Sequence, residues 1–219
     1  MNDDFIEGQY NITKVSRLSK VKKFYEDNKI LIFLVVCVTL VSVGSYIFYN
    51  NIKENKKIEL SQKYIQAKIF IEDGEKDKAT NTLKEIIYSN NSSYSTLSLF
   101  LIINENLIND NKNELVNLFD HILKKNKFDK EIRNLIIYKK CLLISDYASE
   151  SEMLDSTKIL LNSENLWKPH TLMLLGDYFV SKKEYLKAQE FYTKILSNKS
   201  YSQNFYNQAN LKLTNLKNE

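Results

Sequence analysis

Few side chains in this 219-residue sequence could do acid–base, nucleophilic or metal chemistry: two histidines, His121 and His170, and two cysteines, Cys37 and Cys141. A histidine titrates near neutral pH and is the commonest protein ligand for transition metals, but a metal site needs partners at set spacings. Neither histidine has a Cys, Asp or Glu at metal-ligand spacing, and the two fall on different predicted helix pairs. Both read as surface or half-buried residues. A nucleophilic cysteine needs a base or a positive neighbourhood to become a thiolate. Cys141 sits instead inside the apolar run IIYKKCLLI, with no histidine nearby in sequence, and reads as a small buried hydrophobe. Cys37 lies in a long apolar segment, so no disulfide can form between domain cysteines, and cysteine usage does not report the compartment. The sequence shows no Gly-rich phosphate loop, no G-x-S-x-G and no Cys/His pairing. Carboxylates such as Glu184 and Glu190 read as solvated helix faces. An enzyme on a degenerate helical scaffold is the weakest function class, and no catalytic residue, cofactor or metal is expected.

The elements that would carry a binding function instead are helices. Four Gly and one Pro in the whole chain leave little punctuation for turns or β-structure. From Lys56 onward apolar residues recur three and four apart, the mark of one buried helical face, and no period-2 alternation appears. The expected helices carry Ile58, Tyr64 and Ile65 before Gly74, then Ala79 and Ile86. Three further stretches follow, Tyr94 to Ile108, Leu115 to Leu123 and Ile132 to Tyr147. The remaining four run Met153 to Leu161, Thr171 to Val180, Tyr185 to Leu196 and Phe205 to Leu216. Trp167, ahead of Pro169, marks the start of the seventh, since Pro is tolerated in a first helical turn. Packing is the expected role of Trp167, with a partner anchor as the alternative.

Two helix pairs share a register. Residues 171–196 read TLMLLGDYFVSKKEYLKAQEFYTKIL, where Leu175-Gly176, Phe179, Ala188 and Tyr192 match the tetratricopeptide order of L-G, an aromatic, then A-x3-F. Ala67, Phe70, Ala79 and Leu83 repeat the spacing, and Ala79 and Ala188 stand about three repeat lengths apart. Small residues are expected where two antiparallel helices cross closely. The intervening pairs carry Leu115 or Val116 and Met153 at the small position. The fold class is therefore all-α, a degenerate tetratricopeptide-repeat solenoid, with Tyr64 and Tyr178 expected on its concave face. A generic helical bundle with chance matches is the alternative.

Ile30 to Tyr49 form a charge-free run long enough to cross a bilayer as one helix. Ser42-Val43-Gly44 offers a signal-cleavage site. The charged region ahead of the run is too long for a signal peptide, however, and Tyr46, Ile47, Phe48 and Tyr49 continue it past that site. A lipoprotein would need small residues before Cys37, where Val35-Val36 stand. An uncleaved anchor fits best, with the aromatic cluster at one interface. Lys14, Arg17, Lys20, Lys22, Lys23 and Lys29 before the span outnumber Lys53, Lys56, Lys57 and Lys63 after it, which favours a cytoplasmic N-terminus. The expected division is a tail over 1–29, a transmembrane helix over 30–50 and a helical domain over 51–219. Beyond the span, basic and acidic residues nearly balance, so no nucleic-acid partner is expected.

Val21-Lys22-Lys23-Phe24-Tyr25, with Asn28 before the span, then Ser93-Tyr94-Ser95, and Trp167 leading into Leu175-Gly176-Asp177, give the chain a recognisable layout. It resembles the bacterial family of tetratricopeptide-like inner-membrane proteins that includes the ancillary subunit of the Sec translocon. The resemblance implies a periplasmic helical domain without catalytic residues, working as a scaffold. Its partners would be translocon subunits, exported polypeptides or periplasmic chaperones. A scaffold for another cell-envelope or cytochrome-biogenesis assembly is the alternative.

Overall fold

The computed structural model describes residues 3–109, 111–162 and 164–216, all of their regular structure helical. The side chains of residues 1–21, including Lys14, Arg17, Lys20 and Val21 of the basic stretch, lie outside the described residues. In chain order the helices are α1 (Asp3–Glu72), α2 (Lys76–Tyr88), α3 (Ser92–Asn104), α4 (Lys112–Lys125), α5 (Lys130–Ile144), α6 (Glu150–Leu161), α7 (Lys168–Ser181), α8 (Tyr185–Ser197) and α9 (Gln203–Leu216). The third and fifth end short of the expected Ile108 and Tyr147. Asn106 adopts a left-handed φ of 48° that ends α3, even though apolar residues continue past it.

The chain divides into two compact units, Met1–Ile58 and Glu59–Glu219. No Gly or Pro stands between Gly44 and Gly74, so nothing local stops α1, and it runs without a break through the expected domain boundary at residue 50. In the first unit the apolar side chains of the span lie open. Ile30 is 77% exposed and Phe48 69% exposed. Thr39 and Ser42 return their hydroxyls to the backbone carbonyls of Val36 and Val38, as polar side chains do where no other partner is offered.

The second unit is a two-layered stack. Consecutive helices pack on one another from α2 to α9, α7 and α8 most closely among the described residues. Odd-numbered helices meet one another along one layer. Tyr64 of α1 lies 6.3 Å from Tyr94 of α3, Tyr138 of α5 lies 5.7 Å from His170 of α7, and His170 lies 4.8 Å from Phe205 of α9. Even-numbered helices meet along the other. Lys84 of α2 pairs with Glu114 of α4, and Lys187 of α8 reaches Glu150 of α6 at 2.7 Å. The core divides into two adjoining apolar clusters. One centres on Leu83, Leu99, Phe119 and Ile122, the other on Met153, Leu175, Phe179 and Tyr192.

The turns after α1 and α7 are built alike. Glu75 N–H reaches Phe70 O at 2.8 Å and Gly74 N–H reaches Ile71 O at 3.1 Å. Glu184 N–H reaches Phe179 O and Lys183 N–H reaches Val180 O, both at 2.9 Å. This is the Schellman closure, which satisfies helix-terminal carbonyls through one left-handed residue. That residue is Gly74 in one turn, φ 78°, and Lys183 in the other, φ 61°. The α3–α4 turn closes the same way through Leu107 N–H and Ile102 O. Ser95, fully buried, donates to the carbonyls of Ile86 and Ile87 and so caps the end of α2 from α3.

Gly176 has its own reason to be glycine. A Cβ there would lie 2.2 Å from Tyr192 Cε1 and 2.6 Å from Cζ, far inside contact distance. The Tyr192 ring of α8 thus occupies the place of a side chain on α7. It is fully buried, and its hydroxyl donates to Asp177 Oδ1 at 2.7 Å. Lys212 of α9 reaches the same oxygen at 2.7 Å, so one carboxylate links three helices. Burial and the adjacent Asp177 carboxylate push the Tyr192 phenol far up, which keeps it a donor.

Three expectations follow. Gly176→Ala should lower stability by about 1–3 kcal/mol through overpacking. The double change Gly176→Ala with Tyr192→Leu, which recreates the Ala67 and Leu83 combination of the first pair, should recover most of the loss in a double-mutant cycle. Additive losses would mean that the ring is not the cause. In the turns, Lys183→Gly should stabilise by up to about 1 kcal/mol, and Gly74→Ala should destabilise although its Cβ meets nothing within 4 Å, because only the backbone conformation is at stake. Unchanged denaturation midpoints for both would contradict the left-handed assignment. Finally, burial lowers the pKa of His170 below its ordinary 6.5, and burial followed by Lys125 lowers that of His121. A lowered folded-state pKa means the unfolded chain binds more protons. Stability is therefore fully present above about pH 6.5 and falls as pH drops through that value toward the folded pKa. His170→Phe should flatten the dependence of the melting temperature on pH between about 7 and 5.

Candidate protein-binding groove

The tetratricopeptide-signature residues lie inside the stack. Ala67, Ala79, Leu83, Leu175, Gly176, Phe179, Ala188 and Tyr192 are buried. Phe70 is half-buried, with the Lys78 ammonium 5.7 Å above its ring. Leu115 and Met153, at the enlarged positions of the intervening pairs, are buried too. These residues set helix spacing and leave the recognition surface to others. Tyr178 corrects the expectation of a concave-face residue. It is 3% exposed, and its hydroxyl donates to Ala148 O at 3.0 Å, tying α7 to the α5–α6 turn. Position 178 falls on the side of α7 that faces the core, next to Phe179 at 5.2 Å. Tyr64 is half-buried against Tyr94.

Two adjoining concavities lie along the odd-numbered helices. A concavity of about 330 Å³ opens between α3 and α5, floored by Phe100, Ile103, Leu142 and Leu143 and edged by Asn104 and Lys139. A second, of about 220 Å³, opens among α5, α7 and α9. Tyr138, Leu142, Met173 and Phe205 line it with His170, Asp177 and Gln208. Leu142 borders both and divides them, so the two adjoin across four helices and together make the candidate groove. Its far wall stands on an aromatic cluster. Trp167 lies 5.5 Å from Tyr138 and 5.4 Å from His170, and its indole N–H donates to Glu131 O at 3.1 Å. Trp167 therefore packs between α5 and α7 as the sequence suggests, and it fixes the rings beside the groove.

The chemistry available is recognition by shape, apolar contact and amide hydrogen bonding. His121 Nε2 is 2.9 Å from Asn90 Oδ1, well away from His170's cluster in α5, α7 and α9. Burial pushes the Cys141 thiol up to about 12, which leaves it protonated and inert. No group of three or more His, Cys, Asp and Glu able to hold a metal is found among the described residues. One sequence signal could have found the groove. The third helix carries Leu97, Leu99, Phe100, Leu101, Ile102 and Ile103, apolar on more than one face, and only one face is needed for a core.

The resemblance residues acquire roles in this frame. Ser95 caps α2, Tyr94 meets Tyr64, Trp167 braces α5 against α7, and Asp177 joins α7, α8 and α9. Asn28 Nδ2 donates to Phe24 O within its own helix. No curated protein and no solved structure matches the chain. The family model described as a tetratricopeptide repeat-like domain matches residues 22–218, from ahead of the apolar segment to the end of α9. With an all-helical stack, the recurring turn and that match, the chain belongs to the tetratricopeptide repeat-like domain family.

Proposed function

We propose that the protein is a membrane-anchored scaffold that holds polypeptide segments in the groove along α3, α5, α7 and α9, beside the Sec translocon of a bacterial inner membrane. The groove carries the scaffold reading. It is open, lies along four helices and mixes apolar with amide side chains, and stacked helix pairs present such extended surfaces. The anchor reading is supported by one helix long and apolar enough to cross a membrane, with none of its apolar window buried. A core helix of a soluble protein would bury that window, and water would disfavour so long an exposed apolar run. The place at the translocon is supported by the sequence resemblance and by the layout of tail, span and helical domain. In this reading the N-terminus is cytoplasmic and the helical domain periplasmic, where translocating or newly exported chains and their chaperones are met. Confinement to the membrane raises the groove's effective concentration near those chains.

Photocrosslinkers at Leu142 and Met173 of the full-length protein in native membranes should capture Sec subunits or translocating chains. The same probes at buried Tyr178 should capture little. A reporter active only outside the cytoplasm, fused at the C-terminus, should be active. Failure to capture either partner, with stoichiometric co-purification of a different membrane assembly, would overturn the translocon placement. An inactive external reporter beside an active cytoplasmic one would overturn the orientation.

A further inference from the structure

The groove's charge is not what its composition suggests. Two ionisable groups of fixed sign border it, Lys139 and Asp177. Asp177 is already committed, with one oxygen receiving both the Tyr192 hydroxyl and the Lys212 ammonium at 2.7 Å. Lys139 has no ion-pair or hydrogen-bond partner among the described residues. The next residue, Lys140, turns to the other side of α5 and pairs with Asp120 of α4 at 2.5 Å. The groove therefore presents one uncompensated positive charge beside its larger apolar concavity.

Its polar remainder is amide. Asn104 borders the same concavity as Lys139 with its side chain unbonded. Gln208 and Asn204 border the second, joined by a 3.1 Å bond from Gln208 Nε2 to Asn204 Oδ1 that leaves Gln208 Oε1, one N–H of Gln208 and both N–H of Asn204 for a ligand. Side-chain amides offer a donor and an acceptor together, the pair that an extended backbone exposes along its edge. Two concavities divided by Leu142 suit two apolar side chains on the same side of an extended chain, at positions i and i+2. A small apolar acid would use the first concavity and leave the second empty.

Resting on the groove reading above, we propose that the occupant is an extended polypeptide segment with large apolar residues at i and i+2 and an Asp or Glu at i−2, on the same side of the chain, and that Lys139 selects the acidic residue. The bound segment runs across α3, α5, α7 and α9. Its apolar side chains fill the concavities, its backbone meets Asn104 and Gln208, and its carboxylate meets the Lys139 ammonium. Basic segments are disfavoured because the free charge is positive and the groove's carboxylate is already paired.

The test uses full-length protein in nanodiscs and three fluorescent nonapeptides that differ at one position. Each carries Leu and Phe two residues apart, with Asp, Asn or Lys two residues ahead of the Leu, on the same side of the extended chain. The expected order of affinity is Asp, then Asn, then Lys, with about 2–5-fold between neighbours for a solvent-exposed charge. Raised salt should narrow the spread. Lys139→Gln should abolish the Asp preference, bringing the Asp and Asn peptides to equal affinity, and Lys139→Glu should reverse the order. Equal binding of all three by the wild-type protein, or a preference that survives Lys139→Gln, would overturn the selection by Lys139 while leaving the groove reading intact. Loss of all binding on Leu142→Asp would keep the groove as the site. Binding of no peptide, with no capture at Leu142 in membranes, would overturn the groove reading itself.

Discussion

The packing of the Tyr192 ring into the space that Gly176 leaves empty is the contact on which the C-terminal half of the stack depends. Only a glycine lets an aromatic ring lie on the helix backbone at that distance, and among the described residues α7 and α8 pack on each other most extensively. The consequence passes along the chain of contacts. With the ring seated, the Tyr192 hydroxyl meets Asp177, and Asp177 then holds Lys212 of α9. Each charged group is about half exposed, so the ion pair adds little by itself. Its value is geometric, since it helps set where α9 lies. The position of α9 in turn places Phe205 against His170 and closes one wall of the groove. A missing side chain on one helix is thus connected, through three helices, to the groove along its own layer.

The groove follows from the stacking rule more than from any residue chosen for it. Each helix pair buries a face against the next, and the odd-numbered helices are left with a second face in common. Where those second faces carry Phe100, Leu142, Met173 and Phe205, the layer becomes an apolar trough. Signature residues and recognition residues are separate sets for a physical reason. The former must be small or tightly packed to fix the spacing, and a residue buried for spacing cannot also meet a partner. Tyr178 illustrates the division. One position ahead of Phe179 in the repeat signature, it is consumed by the core and by the carbonyl of Ala148.

The two units treat their apolar residues differently. In Glu59–Glu219 the apolar residues find one another and polar ends are closed by caps such as the Ser149 and Glu152 capping box. In Met1–Ile58 the described apolar side chains of the span, among Ile30, Leu31, Phe33 to Val36 and Val38 to Tyr49, stay open along a helix whose internal hydrogen bonds satisfy the backbone. A bilayer interior would accept such a helix.

The amino-acid sequence determined what local chemistry can determine. Apolar residues at three- and four-residue spacing, with almost no Gly or Pro, made an all-helical chain unavoidable. The tetratricopeptide register around Gly176 could be read because small residues at fixed spacing report a close crossing. The absence of Gly and Pro from 45 to 73 already implied a helix running past the expected boundary. Tertiary structure alone decided which face of each helix turned inward. Cys141 and Leu142, or Leu172 and Met173, are equivalent to a helical period. Only the positions of α3, α5, α7 and α9 relative to one another separate groove from core. Charge was subject to the same limit. Lys139 and Lys140 are indistinguishable in sequence, and they differ because the neighbouring α4 offers Asp120 to one side of α5 and no carboxylate to the other. Periodicity is a property of neighbours along the chain, whereas a binding surface is made by residues that the chain keeps apart and the fold brings together.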